Sequence, residues 1–155
     1  MEAVVWPAFA TVALAAAALV VIDLATHRLP DIITLPAIAL TTALLALAAW
    51  WVGSAVLFTR AVAGSLSLGG VYLALHWLSR RSLGFGDVKL AILLGLPAGW
   101  IGWELVFWAG VLPFVLGGIA ALVLLAMRRV TARTHIAFGP FMVLGFILAA
   151  CLVTT

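Results

Sequence analysis

The chain has 155 residues, 67% of them hydrophobic and 8% charged, with a formal net charge of +3 and a mean hydropathy of +1.35. Soluble domains run near ~45–50% apolar and ~25% charged, so this composition excludes a soluble globular protein and indicates an integral membrane one. At ~20 residues per helical span, six spans nearly exhaust residues 1–155, which predicts a single polytopic membrane domain with no room for a soluble one.

Apolar runs fall at 6–25, 32–53, 60–78, 86–99, 103–127 and 136–154. They are continuous rather than alternating every second residue, which predicts an all-α bundle of six transmembrane helices and not a barrel. The first run has Glu2 ahead of it and no Lys or Arg before Asp23. A secretory signal begins with a basic segment, so this run is read as a retained span. The loops after spans one, three and five hold Arg28, Arg80, Arg81, Lys89, Arg128, Arg129 and Arg133, with only Arg60 on the other side. The positive-inside rule then places these loops in the cytoplasm and both termini outside a cytoplasmic membrane. Topology accounts for the basic residues; no nucleic-acid partner is expected, because no recognition fold accompanies them.

Asp23 closes the first run and Asp87 opens the fourth. A carboxylate at hydrocarbon depth costs roughly 2.5–3.5 kcal/mol even on lenient insertion scales, so such a residue faces the protein interior and acts there. The two acids lie 64 positions apart but at matching depth on one side, and neighbouring packing of their spans brings them together. Only 14 residues separate Lys89 from Glu104, about 21 Å of helix. Crossing ~30 Å of hydrocarbon draws the turn before span four inward, with Lys89 reaching back to the interface. Asp87 also suits a helix N-terminus, a role compatible with catalysis. Asp31, after Pro30, is read as the N-cap of span two rather than as a third catalytic acid.

Two acids on separate spans are the minimum apparatus of an aspartyl protease inside the bilayer. Close carboxylates in low dielectric do not both ionise, so one keeps a proton. The ionised partner deprotonates water, and the protonated one polarises the scissile carbonyl. No metal or other cofactor is required. Gly84 and Gly86 allow an extended substrate backbone to approach Asp87, or simply make the turn before span four. Gly139-Pro140 is expected to open the last span beside the site or to kink it. Gly64, Ser65, Gly69 and Gly70 form a small-residue face for close helix packing. His27, His76 and His135 lack metal-like spacing. Two rival readings are a small proton- or ion-coupled transporter and a non-enzymatic scaffold. A transporter spreads its acids along a path and often shows repeats; a scaffold tolerates Asn at both aspartates.

Three stretches resemble the type IV prepilin peptidases, a family of GxGD-type intramembrane aspartyl proteases. They are Asp23 with His27-Arg28-Leu29-Pro30-Asp31 and Thr34-Leu35-Pro36, then Gly84-Phe85-Gly86-Asp87-Val88-Lys89-Leu90, then Ile136-Ala137-Phe138-Gly139-Pro140-Phe141. Leu29, Asp31 and Ala137 depart from the family's usual Ile, Asn and Pro. The resemblance implies Asp23 and Asp87 as the catalytic pair, with Arg28, Gly84, Gly86, Lys89, Gly139 and Pro140 shaping the site or binding substrate. It implies a prepilin-like membrane protein as substrate, with a short basic leader and a hydrophobic helix, cut between them on the cytoplasmic side, usually after Gly. Many bacterial members also carry paired Cys-x-x-Cys motifs and N-methylate the new terminus. Cys151 is the lone cysteine, so cleavage without methyl transfer is expected, as in short forms serving Tad/Flp-type pili or archaeal pilins and flagellins.

Overall fold

The computed structural model describes residues 4–26, 29–79, 83–127 and 137–154. Arg28, expected to shape the site, lies outside them, as do Arg80, Arg81, Arg128, Arg129, Arg133, His27, His135 and Ile136. Six helices follow in chain order: α1 (Trp6–Thr26), α2 (Asp31–Val52), α3 (Ala55–Leu78), α4 (Phe85–Ile101), α5 (Trp103–Ala126) and α6 (Gly139–Thr154). The protein is thus an all-α membrane bundle. α1, α2, α3 and α5 are each long and apolar enough to cross a bilayer. α4 and α6 have 17 and 16 residues, about 25 Å and 24 Å of helix.

Boundaries differ from the sequence expectation where polar residues join a helix. α3 begins five residues before the apolar run, which moves Arg60 from the expected edge of the span into the helix. Its guanidinium finds partners at the far end of α4: Nε donates to the Gly99 carbonyl at 2.8 Å, and Nη2 donates to Trp100 and, at 3.3 Å, to Ile101. These carbonyls belong to the last turn of α4, where no intrahelical donor remains. The guanidinium therefore caps the C-terminal end of α4. α4 also runs past residue 99 to Ile101, so it is three residues longer than the apolar run implied, and Gly102 alone joins it to α5.

α4 is the centre of the bundle. Eleven of its 17 residues are buried, against four of 24 in α5, so α4 is enclosed by protein while α5 turns most of its surface outward. α4 touches all five other helices. Its closest partner is α3, in an antiparallel register fixed by small residues. A Cβ added at Gly64 would lie 2.7 Å from the Gly99 Cα, at Gly95 2.5 Å from the Ser65 Cα, and at Gly99 2.4 Å from the Arg60 carbonyl oxygen. Gly69 receives the Ile92 side chain in the same way. Between lipid-like helices no hydrophobic force drives association, so backbone approach and interhelical hydrogen bonds carry it. Ser65 supplies one, donating to the Ile92 carbonyl at 2.7 Å. Gly70 is not part of this seam; nothing lies within 4 Å of its would-be Cβ.

Candidate active site

α1, α4 and α6 meet one another at the end of the bundle where α1 finishes and where α4 and α6 begin. Asp23 stands in the last turn of α1 and Asp87 in the first turn of α4, 5% and 7% exposed. The helix order that separates them by 64 positions thus folds them to one end. The Asp87 carboxylate is within direct electrostatic range of Asp23 and of the Tyr72 hydroxyl.

Each carboxylate lies against a glycine at a helix start. Gly139 is the first residue of α6, and its N–H donates to Asp23 Oδ2 at 3.0 Å. Gly84 is the N-cap of α4, and the Asp87 carboxylate three residues on turns back toward it, at the position where an acid reaches the N-cap in a capping box. The free N–H groups and partial positive charge of a helix N-terminus favour an anion, and here two such termini, α4 and α6, converge on two acids. Asp87 is therefore not an N-cap itself: Gly84 occupies that position, extended at φ −63°, ψ 141°. Pro140, second in α6, has no N–H to leave unpaired in the first turn.

The glycines fit these contacts closely. A Cβ on Gly139 would fall 2.7 Å from Asp23 Oδ2, and one on Gly84 3.2 Å from Asp87 Oδ2. Gly86 faces elsewhere. Its would-be Cβ lies 2.8 Å from the Leu29 Cβ, so the first turn of α4 rests on the segment joining α1 to α2.

Asp31 is not the cap of α2. Pro30 is the N-cap and Asp31 the first helical residue, with no side-chain cap bond. Its carboxylate instead pairs with Lys89 Nζ, which also lies 5.0 Å over the Phe85 ring. The partner arrives from α4, one turn past the fold's seat on Leu29, and draws the Asp31 side chain off its own backbone. That pair is half open to solvent, with Asp31 58% exposed, unlike the enclosed Asp23 and Asp87. His76 steadies the approach to α4: Nδ1 bonds the Leu83 carbonyl at 2.6 Å, and its ring meets Phe85 edge-on. Among the described residues no group of three His, Cys, Asp or Glu is placed to hold a metal ion.

A family model described as the type IV leader peptidase family matches residues 10–155. Among curated proteins, the chain is 36% identical to a prepilin leader peptidase/N-methyltransferase of Dickeya chrysanthemi over 126 residues, 81% of this chain and 43% of that protein. It is 41% identical to one from Klebsiella pneumoniae over 87 residues, 56% of this chain and 36% of that protein. A third, from Escherichia coli K12, is 31% identical over 142 residues, 81% of this chain and 54% of that protein. The chain spans about half the length, or less, of these relatives. No solved structure matches.

Proposed function

The chain belongs to the type IV leader peptidase family, and on that premise we propose that it is an intramembrane aspartyl endopeptidase that removes the leader from prepilin-like substrates. The observation that carries this reading is the buried pair Asp23 and Asp87, each lying against a glycine at a helix N-terminus. Two carboxylates in electrostatic contact share one proton at working pH. The ionised member takes a proton from a water molecule, which attacks the scissile carbonyl carbon. The protonated member gives its proton to the carbonyl oxygen, producing a neutral diol. Collapse of the diol breaks the C–N bond as a proton passes to the leaving amine. The fixed Gly139 N–H keeps the Asp23 carboxylate aimed throughout, so little reorganisation accompanies the reaction there.

The substrate fits the setting. α4 and α6 start at the acids and are shorter than the ~30 Å hydrocarbon core, so the acids lie recessed beneath one face of the bundle. An apolar substrate helix enters laterally from the bilayer, and its basic leader stays with the headgroups. By the positive-inside rule that face is cytoplasmic.

The test is leader cleavage in detergent or bilayer. Asp23→Asn and Asp87→Asn should each remove nearly all activity while leaving the thermal midpoint close to that of the parent, since Asn matches Asp in size. Asp31→Asn should keep most activity, because its exposed ion pair contributes little. A stable Asp23→Asn that still cuts, beside an inactive Asp31→Asn, would reassign the pair to Asp31 and Asp87.

A further inference from the structure

Tyr72 is the chain's one tyrosine, and none of the motifs includes it. It stands in α3, 1% exposed, with its ring 5.2 Å from Phe114 of α5 and 6.4 Å from Phe138. Phe138 itself stacks on Phe114 at 5.2 Å and immediately precedes Gly139, whose N–H holds Asp23. The rings thus form a wall between α3, α5 and α6, and Tyr72 shares a buried cluster with Val88, the neighbour of Asp87. Its hydroxyl is fully buried and has no hydrogen-bond partner among the described residues, yet it is in electrostatic range of Asp87. A buried hydroxyl without a partner costs free energy. Phenylalanine would fill the same aromatic slot without that cost.

Beside the protonated carboxyl, the chemistry has a place for a second donor, which this hydroxyl can fill. Hydrolysis builds charge on the scissile carbonyl oxygen, and fixed donors aimed at that oxygen lower the barrier. The Gly139 N–H beside Asp23 is committed to that carboxylate. We propose that the Tyr72 hydroxyl donates a hydrogen bond to the scissile carbonyl oxygen of the bound substrate and keeps it as that oxygen becomes a hydroxyl of the diol. Tyr72 gives up no proton; the proton for the oxygen comes from the protonated carboxyl. This rests on the peptidase reading above.

Tyr72→Phe in the full chain tests it, since only the hydroxyl is removed. Cleavage is followed on a prepilin-like peptide with a basic leader, a Gly junction and an apolar helix. Binding is followed with the same peptide carrying a hydroxyethylene isostere at the scissile bond. The kcat should fall ~10- to 100-fold with KM little changed and isostere affinity reduced in parallel. The thermal midpoint should be unchanged or higher, because an unpartnered hydroxyl has been removed. An unchanged kcat in an active preparation overturns the tyrosine's role alone. A lowered thermal midpoint accompanying the loss also overturns it, by making Tyr72 a packing residue. A parent protein that neither cuts the peptide nor binds the isostere overturns the peptidase reading and this inference with it.

Discussion

Gly139→Ala probes the contact between α6 and Asp23 with a single methyl group. The added carbon would stand 2.7 Å from Asp23 Oδ2 and 3.3 Å from its Cγ. Carbon and oxygen settle no closer than about 3.2–3.4 Å, so the carboxylate must retreat by roughly 0.5–0.7 Å or α6 must shift by as much. Either movement stretches the 3.0 Å bond from the Gly139 N–H toward or past the limit of a useful hydrogen bond. Hydrogen bonds to charged groups are worth about 1.5–3 kcal/mol, and a misplacement approaching 1 Å in an active site costs up to ~100-fold in rate. We therefore expect kcat for leader cleavage to fall ~10- to 100-fold, with a drop of a few degrees in the thermal midpoint. Gly118→Ala is the control. No atom lies within 4 Å of its added Cβ, and Ala in a helix interior is about 0.5–1 kcal/mol better than Gly, so activity and stability should hold or rise. The assay is steady-state cleavage of a prepilin-like peptide in detergent, paired with a thermal melt of each variant. Full activity in a folded Gly139→Ala protein would refute the claim that the α6 N-terminus aims Asp23.

The pH–rate profile of the parent should be bell-shaped, since the singly protonated pair is the active species; its two limbs belong to the pair jointly, and a single sigmoid would argue against shared protonation. Gly95→Ala should destabilise strongly, because its Cβ would meet the Ser65 backbone at 2.5 Å with no flexible side chain to yield; a thermal midpoint equal to the parent's would mean that α3 and α4 are less tightly joined than the structure has them. For topology, single cysteines at Arg81 and Trp51 in a Cys151→Ser background should react with an impermeant thiol reagent from opposite sides. Labelling from the same side would overturn the span map on which the proposed meeting of the acids rests.

Most helix boundaries and both acids were legible in the sequence because the signals are local. A continuous apolar run must be helical to satisfy its backbone in lipid, and a carboxylate within such a run is anomalous wherever it lies. α1, α2 and α5 accordingly begin and end within a residue of their apolar runs. The rest depends on which faces meet. These helices are apolar nearly all round, so no polar stripe separates the lipid side from the protein side. Arg60 read only as the one cation on the far side, though it caps α4 some 40 positions on. Asp31 read as a cap by its neighbours in sequence, though Lys89, 58 positions away, claims it. Gly86 read either as a gap for substrate or as part of the turn before α4, and its open side is occupied by Leu29. The bond from Gly139 to Asp23 joins residues 116 positions apart, and Tyr72 carries no motif at all. What decides these contacts is the rotation and register of each helix against its neighbours. That is set by where small residues let backbones touch, as Gly64, Gly95 and Gly99 do, and it is a property of paired surfaces that neither strand of the sequence contains alone.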